Sequence, residues 1–195
     1  MAIVFHKESR CFHLYNNEVS YIIRIMENEL QLQQWKDYGA NPTPMAFTEL
    51  FTALQQKTVD AQDNGAELTW QTKFYEVQRH YTYTKHIYSP YLILMSKDKF
   101  DGLTPEQQEI VLKVSDEAVA YERQRCDEYE QTALDNIKNC GTMQYSDLTP
   151  EVKAEMVKAC KNIKELAYKK VTDPSVVDLL YDEVAKAKEK FPEEG

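Results

Sequence analysis

Thr104-Pro105-Glu106-Gln107 opens a stretch of chain in which no further proline or glycine occurs before Gly141. Threonine is a strong N-cap, proline suits the first helical position, and a glutamine three residues after the cap completes a capping box. The run predicts one helix from Pro105 that continues past Tyr121 and Cys126 towards Asn139. At the α-helical rise it would be about 50 Å long. That exceeds the width of a small domain, so such a helix must cross a second lobe, kink or protrude. Thr149-Pro150-Glu151 and Asp173-Pro174-Ser175 repeat the device. They predict helices with apolar faces at Val152, Met156, Cys160 and Ile163, and at Val176, Leu180 and Val184. The tail after Phe191 is expected to lack order.

The N-terminal part reads differently. Ile3-Val4-Phe5, Cys11–Tyr15 and Val19–Met26 are rich in β-branched and aromatic residues and are separated by Lys7-Glu8-Ser9 and Asn16-Asn17-Glu18. This predicts a β-meander of two or three strands. Glu27–Tyr38 suits a short helix stopped by Gly39. Asn41-Pro42-Thr43-Pro44 must be extended or turning, because residues before proline avoid helical dihedrals. Thr48 would cap a helix over Glu49–Gln56 with Leu50, Ala53 and Leu54 inward. A loop around Asp60–Gly65 and a helix over Leu68–His80, with Phe74 and Val77 inward, come next. Tyr81–Met95 then reads as a strand whose apolar end should be buried on both faces. The fold class is helix-rich α/β.

A chain of 195 residues allows one ordinary domain or two small lobes. Its net charge of -9 argues against nucleic acid and against anionic membrane surfaces, which reward Lys and Arg. An anionic small ligand stays open, since one buried Arg sets the local field in a cleft. No apolar run approaches the ~20 residues that span a bilayer. Lys7, Glu8 and Arg10 interrupt the N-terminus early, so no export signal is visible and the chain as written would be cytoplasmic. Cys11, Cys126, Cys140 and Cys160 form no C-x-x-C pair, and His6, His13, His80 and His86 lack metal-ligand spacing. Neither metal nor cofactor is expected.

The segment Gly39-Ala40-Asn41-Pro42-Thr43-Pro44-Met45-Ala46-Phe47-Thr48-Glu49-Leu50-Phe51 and its continuation Val59-Asp60-Ala61-Gln62-Asp63-Asn64 carry the most specific pattern in the chain. Together with Lys73–Gln78, Ser89-Pro90-Tyr91 and Leu94-Met95-Ser96, they resemble the solute-binding proteins of TRAP-type transporters. The order and spacing agree from about Arg24 to the helical C-terminus. The resemblance implies the second lobe and long back helix of a two-lobed periplasmic binding-protein fold. It also implies a carboxylate-bearing solute, membrane permease subunits as partners, a periplasmic or extracytoplasmic setting, and no enzyme activity. It assigns Arg24 to the ligand carboxylate, Phe47 to the ligand wall and Asn64 to a hydrogen bond, with His86 and Tyr88 lining the cleft. Arginine suits that role, because its planar fork matches a carboxylate bidentately and lysine cannot reproduce it. Read without the resemblance, Arg24 would face solvent or a sheet edge, Phe47 would be core, and Asn64-Gly65 would be a turn.

The sequence departs from the family in two places. Gly65 stands where the family has proline after the asparagine. Ahead of Arg24 the family's first lobe is absent, which makes this a truncated form. Residues 1–29 instead resemble the opening β segment of large bacterial α-galactosidases. The chain therefore divides into a β lead-in over residues 1–23, foreign to the family, and a solute-binding part over 24–195. Three functions compete: an organic-acid binder, a folded fragment without function, and a glycosidase. The last needs two carboxylates facing each other across a cleft, which nothing here supplies. With one cleft wall missing, Arg24, Phe47 and Asn64 are expected to face water, so that binding is millimolar or undetectable. The bared lobe interface is expected to favour self-association.

Overall fold

A computed structural model describes residues 2–5 and 21–191, so the stretch Cys11–Tyr15 and the tail beyond Phe191 lie outside the described residues. Six strands and eight α-helices succeed one another: β1 (Ala2–Phe5), β2 (Ile22–Ile25), α1 (Glu29–Asp37), β3 (Asn41–Pro44), α2 (Phe47–Gln55), β4 (Ala61–Asn64), α3 (Ala66–Gln71), β5 (His80–Tyr83), α4 (Lys97–Asp101), α5 (Pro105–Asn139), β6 (Gln144–Asp147), α6 (Pro150–Ala159), α7 (Ile163–Lys170) and α8 (Ser175–Lys190), among the described residues. The chain forms two units. One holds β1 and Asp63–Asp147; the other holds residues 21–62 and 148–191.

In the second unit β2 is the central strand. Its Ile-Ile-Arg-Ile sequence suits a position buried on both faces of a parallel sheet. It pairs in parallel with β3, Arg24 opposite Thr43, and with β4, Arg24 opposite Gln62. The two prolines of β3 are tolerated because that strand has β2 on one side only. Asn28 caps α1, its Oδ1 accepting from the amides of Leu30 at 2.8 Å and Gln31 at 3.2 Å. Gly39, at φ +79°, ends that helix as the sequence predicts. Trp35 and Tyr38 meet edge to face at 5.3 Å and join Ile23, Ile25, Leu50, Leu54 and Met156 among the buried side chains.

Local rules mislead in three places here. Helix α2 begins at Phe47 with Ala46 at the cap and no side-chain cap bond, so Thr48 lies inside the first turn. The expected loop at Asp60–Gly65 is strand β4, buried along its whole length. Asp60 holds it beside β2: the Ile22 amide donates to Asp60 Oδ2 at 3.0 Å, and the Asp60 amide donates to the Ile22 carbonyl at 2.8 Å. On α8 the buried apolar residue is Val177, while Val176, Leu180 and Val184 stay exposed.

In the first unit β5 pairs antiparallel with β1 and parallel with β6. Of the expected N-terminal meander, β1 runs beside β5 while β3 and β4 take both sides of β2, so β1 and β2 are not neighbours, and the strand expected between them lies outside the described residues. The expected helix over Leu68–His80 stops at Gln71, where Lys73 at φ 58° turns the chain into a single 3-10 turn over Phe74–Glu76. Helix α5 is one continuous element of 35 residues. Its buried residues are Ala133, Leu134 and Ile137, which pack with Ala66, Tyr81 and Met143, so only the C-terminal end of the helix enters the core.

The capping box at the start of α5 is complete: the Gln107 amide donates to Thr104 Oγ1 at 3.3 Å, and the Thr104 amide to Gln107 Oε1 at 3.0 Å. Thr104→Ala should cost about 1 kcal/mol of helix stability. Hydrogen exchange confined to the first turns of α5 checks this; unchanged protection there would count against the cap.

Glu67 on α3 sits above its usual pKa range, first through partial burial and then through the nearby carboxylates of Glu130 and Glu122. A carboxyl raised in the folded state opposes folding as the pH rises through that window and ceases to do so in acid. Glu67→Gln is therefore expected to raise the melting temperature at neutral pH and to leave it unchanged in acid. The gain should stay below about 1 kcal/mol, since the group is largely solvated. An equal gain at both pH values would show that charge is not its cause.

Candidate functional site

Arg24 leaves β2 as one of the most deeply buried polar side chains, 3% exposed. A buried guanidinium needs partners for its donors. Its Nε donates to the Met45 carbonyl at 2.9 Å, which fixes the plane of the group. Met45 is presented there because its own amide donates to the Ile25 carbonyl at 3.2 Å, continuing the β2–β3 ladder past Pro44. The next turn of chain begins α2 at Phe47, whose ring centre lies 5.8 Å from the Arg24 guanidinium carbon. Phe47 is 40% exposed, so it is not a core residue. Arg24 and Phe47 thus stand together, an oriented cation beside an accessible aromatic wall. Gln62 is opposite Arg24 in parallel register and fully buried, which places it on the same face of the sheet as Arg24. Composition and periodicity do not reveal Gln62, because a buried polar residue looks like a surface one in sequence.

Asn64 closes β4 and is buried at 8% exposure, a strand residue rather than a turn. The glycine after it caps α3 in extended conformation, with φ −63° and ψ 163°. Beside Asn64, Asp63 carries a second feature that the sequence patterns do not mark. Its Oδ2 lies 3.8 Å from His86 Nε2, with both side chains buried, and the two form an ion pair when the imidazole is protonated. On the other edge of the ring, His86 Nδ1 lies 2.6 Å from Thr84 Oγ1, so one hydroxyl and one carboxylate orient the histidine. The signal that could have found Asp63 was its place inside the Gln62-Asp63-Asn64 word. Tyr88, two residues beyond His86, stands almost wholly in solvent. The structure therefore pairs Arg24 with Phe47, sets His86 against Asp63 and Thr84, and leaves Tyr88 outside both groups.

Arg24 and Asn64 depart from the expected open, water-competed state, since both are buried. Charge-assisted hydrogen bonds in such surroundings contribute about 1.5–3 kcal/mol, against about 0–1 kcal/mol for exposed pairs.

The family model for bacterial extracellular solute-binding protein, family 7, matches residues 21–170. The 2,3-diketo-L-gulonate-binding periplasmic protein YiaO of Escherichia coli is 39% identical over 126 residues, which are 65% of this chain and 38% of that protein. The C4-dicarboxylate-binding periplasmic protein DctP of Rhodobacter capsulatus is 31% identical over 132 residues, covering 68% of this chain and 40% of that one. Among solved structures, a TRAP periplasmic solute-binding protein of Ochrobactrum anthropi, with its C-terminus bound in its ligand-binding pocket, superposes with a TM-score of 0.84 and 31% identity. That likeness covers 99% of this chain and 59% of the other. The sugar-acid-binding protein DctPAm of Advenella mimigardefordensis, in complex with galactonate, gives a TM-score of 0.82 and 29% identity over 95% of this chain and 59% of its own. The chain thus spans about two fifths of these curated relatives. The family match opens at residue 21 and lends no support to an α-galactosidase origin for the segment before it.

Proposed function

This chain belongs to the bacterial extracellular solute-binding protein family 7, and on that premise we propose that it captures a carboxylate-bearing organic acid for a TRAP-type transporter. The observation that carries the reading is the buried Arg24, held in plane by the Met45 carbonyl and laid beside Phe47. The guanidinium is a planar fork of donors whose geometry matches a carboxylate. Phe47 supplies an apolar wall beside that cation, and the family resemblance adds Asn64, whose side chain carries both a donor and an acceptor. His86, oriented by Thr84 and Asp63, is a further polar contact, and the exposed Tyr88 has at most a rim role. The ligand class rests on the relatives, which bind a diketogulonate, C4-dicarboxylates and galactonate. The role is binding rather than catalysis, in the periplasm, with the membrane permease subunits as partners. A further partner is the chain itself, through its exposed apolar surface.

Thermal shift in the presence of sugar acids and C4-dicarboxylates tests the ligand reading, since a binder gains RT ln(1 + [L]/Kd). The expected result is a shift with one or more acids and none with the matching neutral sugar. No shift with any carboxylate would sink the reading. It would leave a folded chain without binding function.

A further inference from the structure

Strand β2 lies between β3 and β4, and one row of residues crosses the three strands at the level of Arg24. Thr43 is opposite it on β3 and Gln62 on β4. Opposed residues in this register leave the sheet on the same side, and the next residue along each strand leaves on the other. The row one residue earlier, Pro42, Ile23 and Ala61, is apolar and buried. The row at Arg24 is polar, and it is enclosed too: Gln62 is 0% exposed and Thr43 half-buried. Burying a polar side chain costs free energy unless it is hydrogen-bonded. A leucine or valine at Gln62 would fill the place without that cost. An enclosed glutamine in the strand beside a buried arginine is therefore tolerated only with its own bonds made.

We propose that Gln62 is a positioning residue of the solute site: its side-chain carbonyl accepts from the Arg24 guanidinium on the β4 side, and with the Met45 carbonyl it sets the plane in which a carboxylate is received. The inference deepens the organic-acid reading and rests on it for the ligand. Neighbouring strands lie about 4.7–4.9 Å apart, so two long side chains leaving opposed positions on one face run alongside each other. Arginine carries donors only, whereas glutamine ends in one carbonyl and one NH2 group. Only the carbonyl can face the guanidinium, which orients the amide and turns its NH2 group away. Met45 takes the Nε proton at 2.9 Å from the β3 side. A single acceptor lets the guanidinium pivot about that bond, and a second one on the other side stops the pivot. The neutral amide also suits the task better than a carboxylate would. A glutamate here would match the fork of donors itself and offset the charge that draws the solute, whereas the amide orients the cation and leaves its charge in place.

Side-chain NMR of the isotope-labelled full chain tests the contact without any ligand. The Arg24 Nε–Hε signal is assigned by its absence from Arg24→Lys, and the exposed Arg79 and Arg123 serve as references. In the parent, the terminal N–H groups of Arg24 are expected to rotate slowly and to give resolved signals. Rotation as fast as at Arg79 would overturn the proposal, whether or not the variants fold. Gln62→Met keeps an unbranched side chain of similar volume and removes the acceptor. It is expected to speed that rotation by roughly tenfold, the equivalent of one charge-assisted hydrogen bond. Affinity for galactonate or succinate, read by ligand-observed NMR, should fall by a similar factor. Gln62→Glu then separates positioning from packing. Its carboxylate restores an acceptor, so slow rotation returns, yet both acids should bind more weakly than to Gln62→Met because the fork is occupied. A glutamine that merely fills space predicts no such opposition between order and affinity. Parent-like rotation in Gln62→Met, or parent-like affinity in Gln62→Glu, overturns the role. Failure of both acids to bind the parent counts against the ligand reading, and the ligand-free rates still decide the contact.

Discussion

Replacing Arg24 by alanine is expected to lower the affinity of the chain for its organic acid by roughly tenfold to a hundredfold, the equivalent of losing about 1.5–3 kcal/mol of charge-assisted hydrogen bonding. The effect should be large because Arg24 is buried and its plane is already set by Met45, so little ordering remains to be done on binding. Arg24→Lys should recover little of the loss. A lysine keeps the charge, but it cannot hold two parallel hydrogen bonds as the planar guanidinium can. Ligand-observed NMR reads affinities down to the weak range, and circular dichroism checks that each variant folds. Equal affinity in Arg24→Ala and the parent would remove Arg24 from the site. Full recovery in Arg24→Lys would keep the charge but discard the bidentate geometry.

Ile137→Ala should destabilise the protein by about 2–5 kcal/mol, while Ile110→Ala on the same helix should change stability by no more than about 0.5 kcal/mol. The two isoleucines share one uninterrupted helix, but Ile137 packs with Tyr81, Leu134 and Met143 whereas Ile110 is largely exposed. Truncating Ile137 leaves a cavity among side chains that cannot all collapse into it; truncating Ile110 leaves only water where a side chain was. Urea titration followed by far-ultraviolet circular dichroism gives both values. A similar cost at the two positions would mean that the N-terminal half of α5 is packed as tightly as its end.

Arg24 and Phe47 were singled out by the family resemblance that the pattern from Gly39 carries, and the structure sets them side by side. The partners of His86 were not legible, because Asp63 and Thr84 come from different elements and nothing in their residue types marks them as neighbours. The strand reading of Tyr91–Met95 was right about the chemistry of the apolar run and wrong about its structure. An apolar run states what a strand would bury, not whether a neighbour is present to cover it.

The sequence by itself determined the starts of α5 and α6 and the end of α1, though not the bounds of α2 and α3. Thr104 with Pro105, Thr149 with Pro150, and Gly39 after α1 act through bonds and dihedrals within a few residues, so no distant partner can revise them. It also determined the chemistry available at the site, since Arg24 is a planar cation wherever the chain carries it. Tertiary structure alone decided which of those side chains are desolvated. Pairing with β3 and β4 buried Arg24, and the same pairing turned the expected loop at Asp60–Gly65 into strand β4. The last turns of α5 met a core while its first turns met solvent. Burial and strand pairing depend on residues that lie far apart along the chain, and a pattern read within a short window does not contain them.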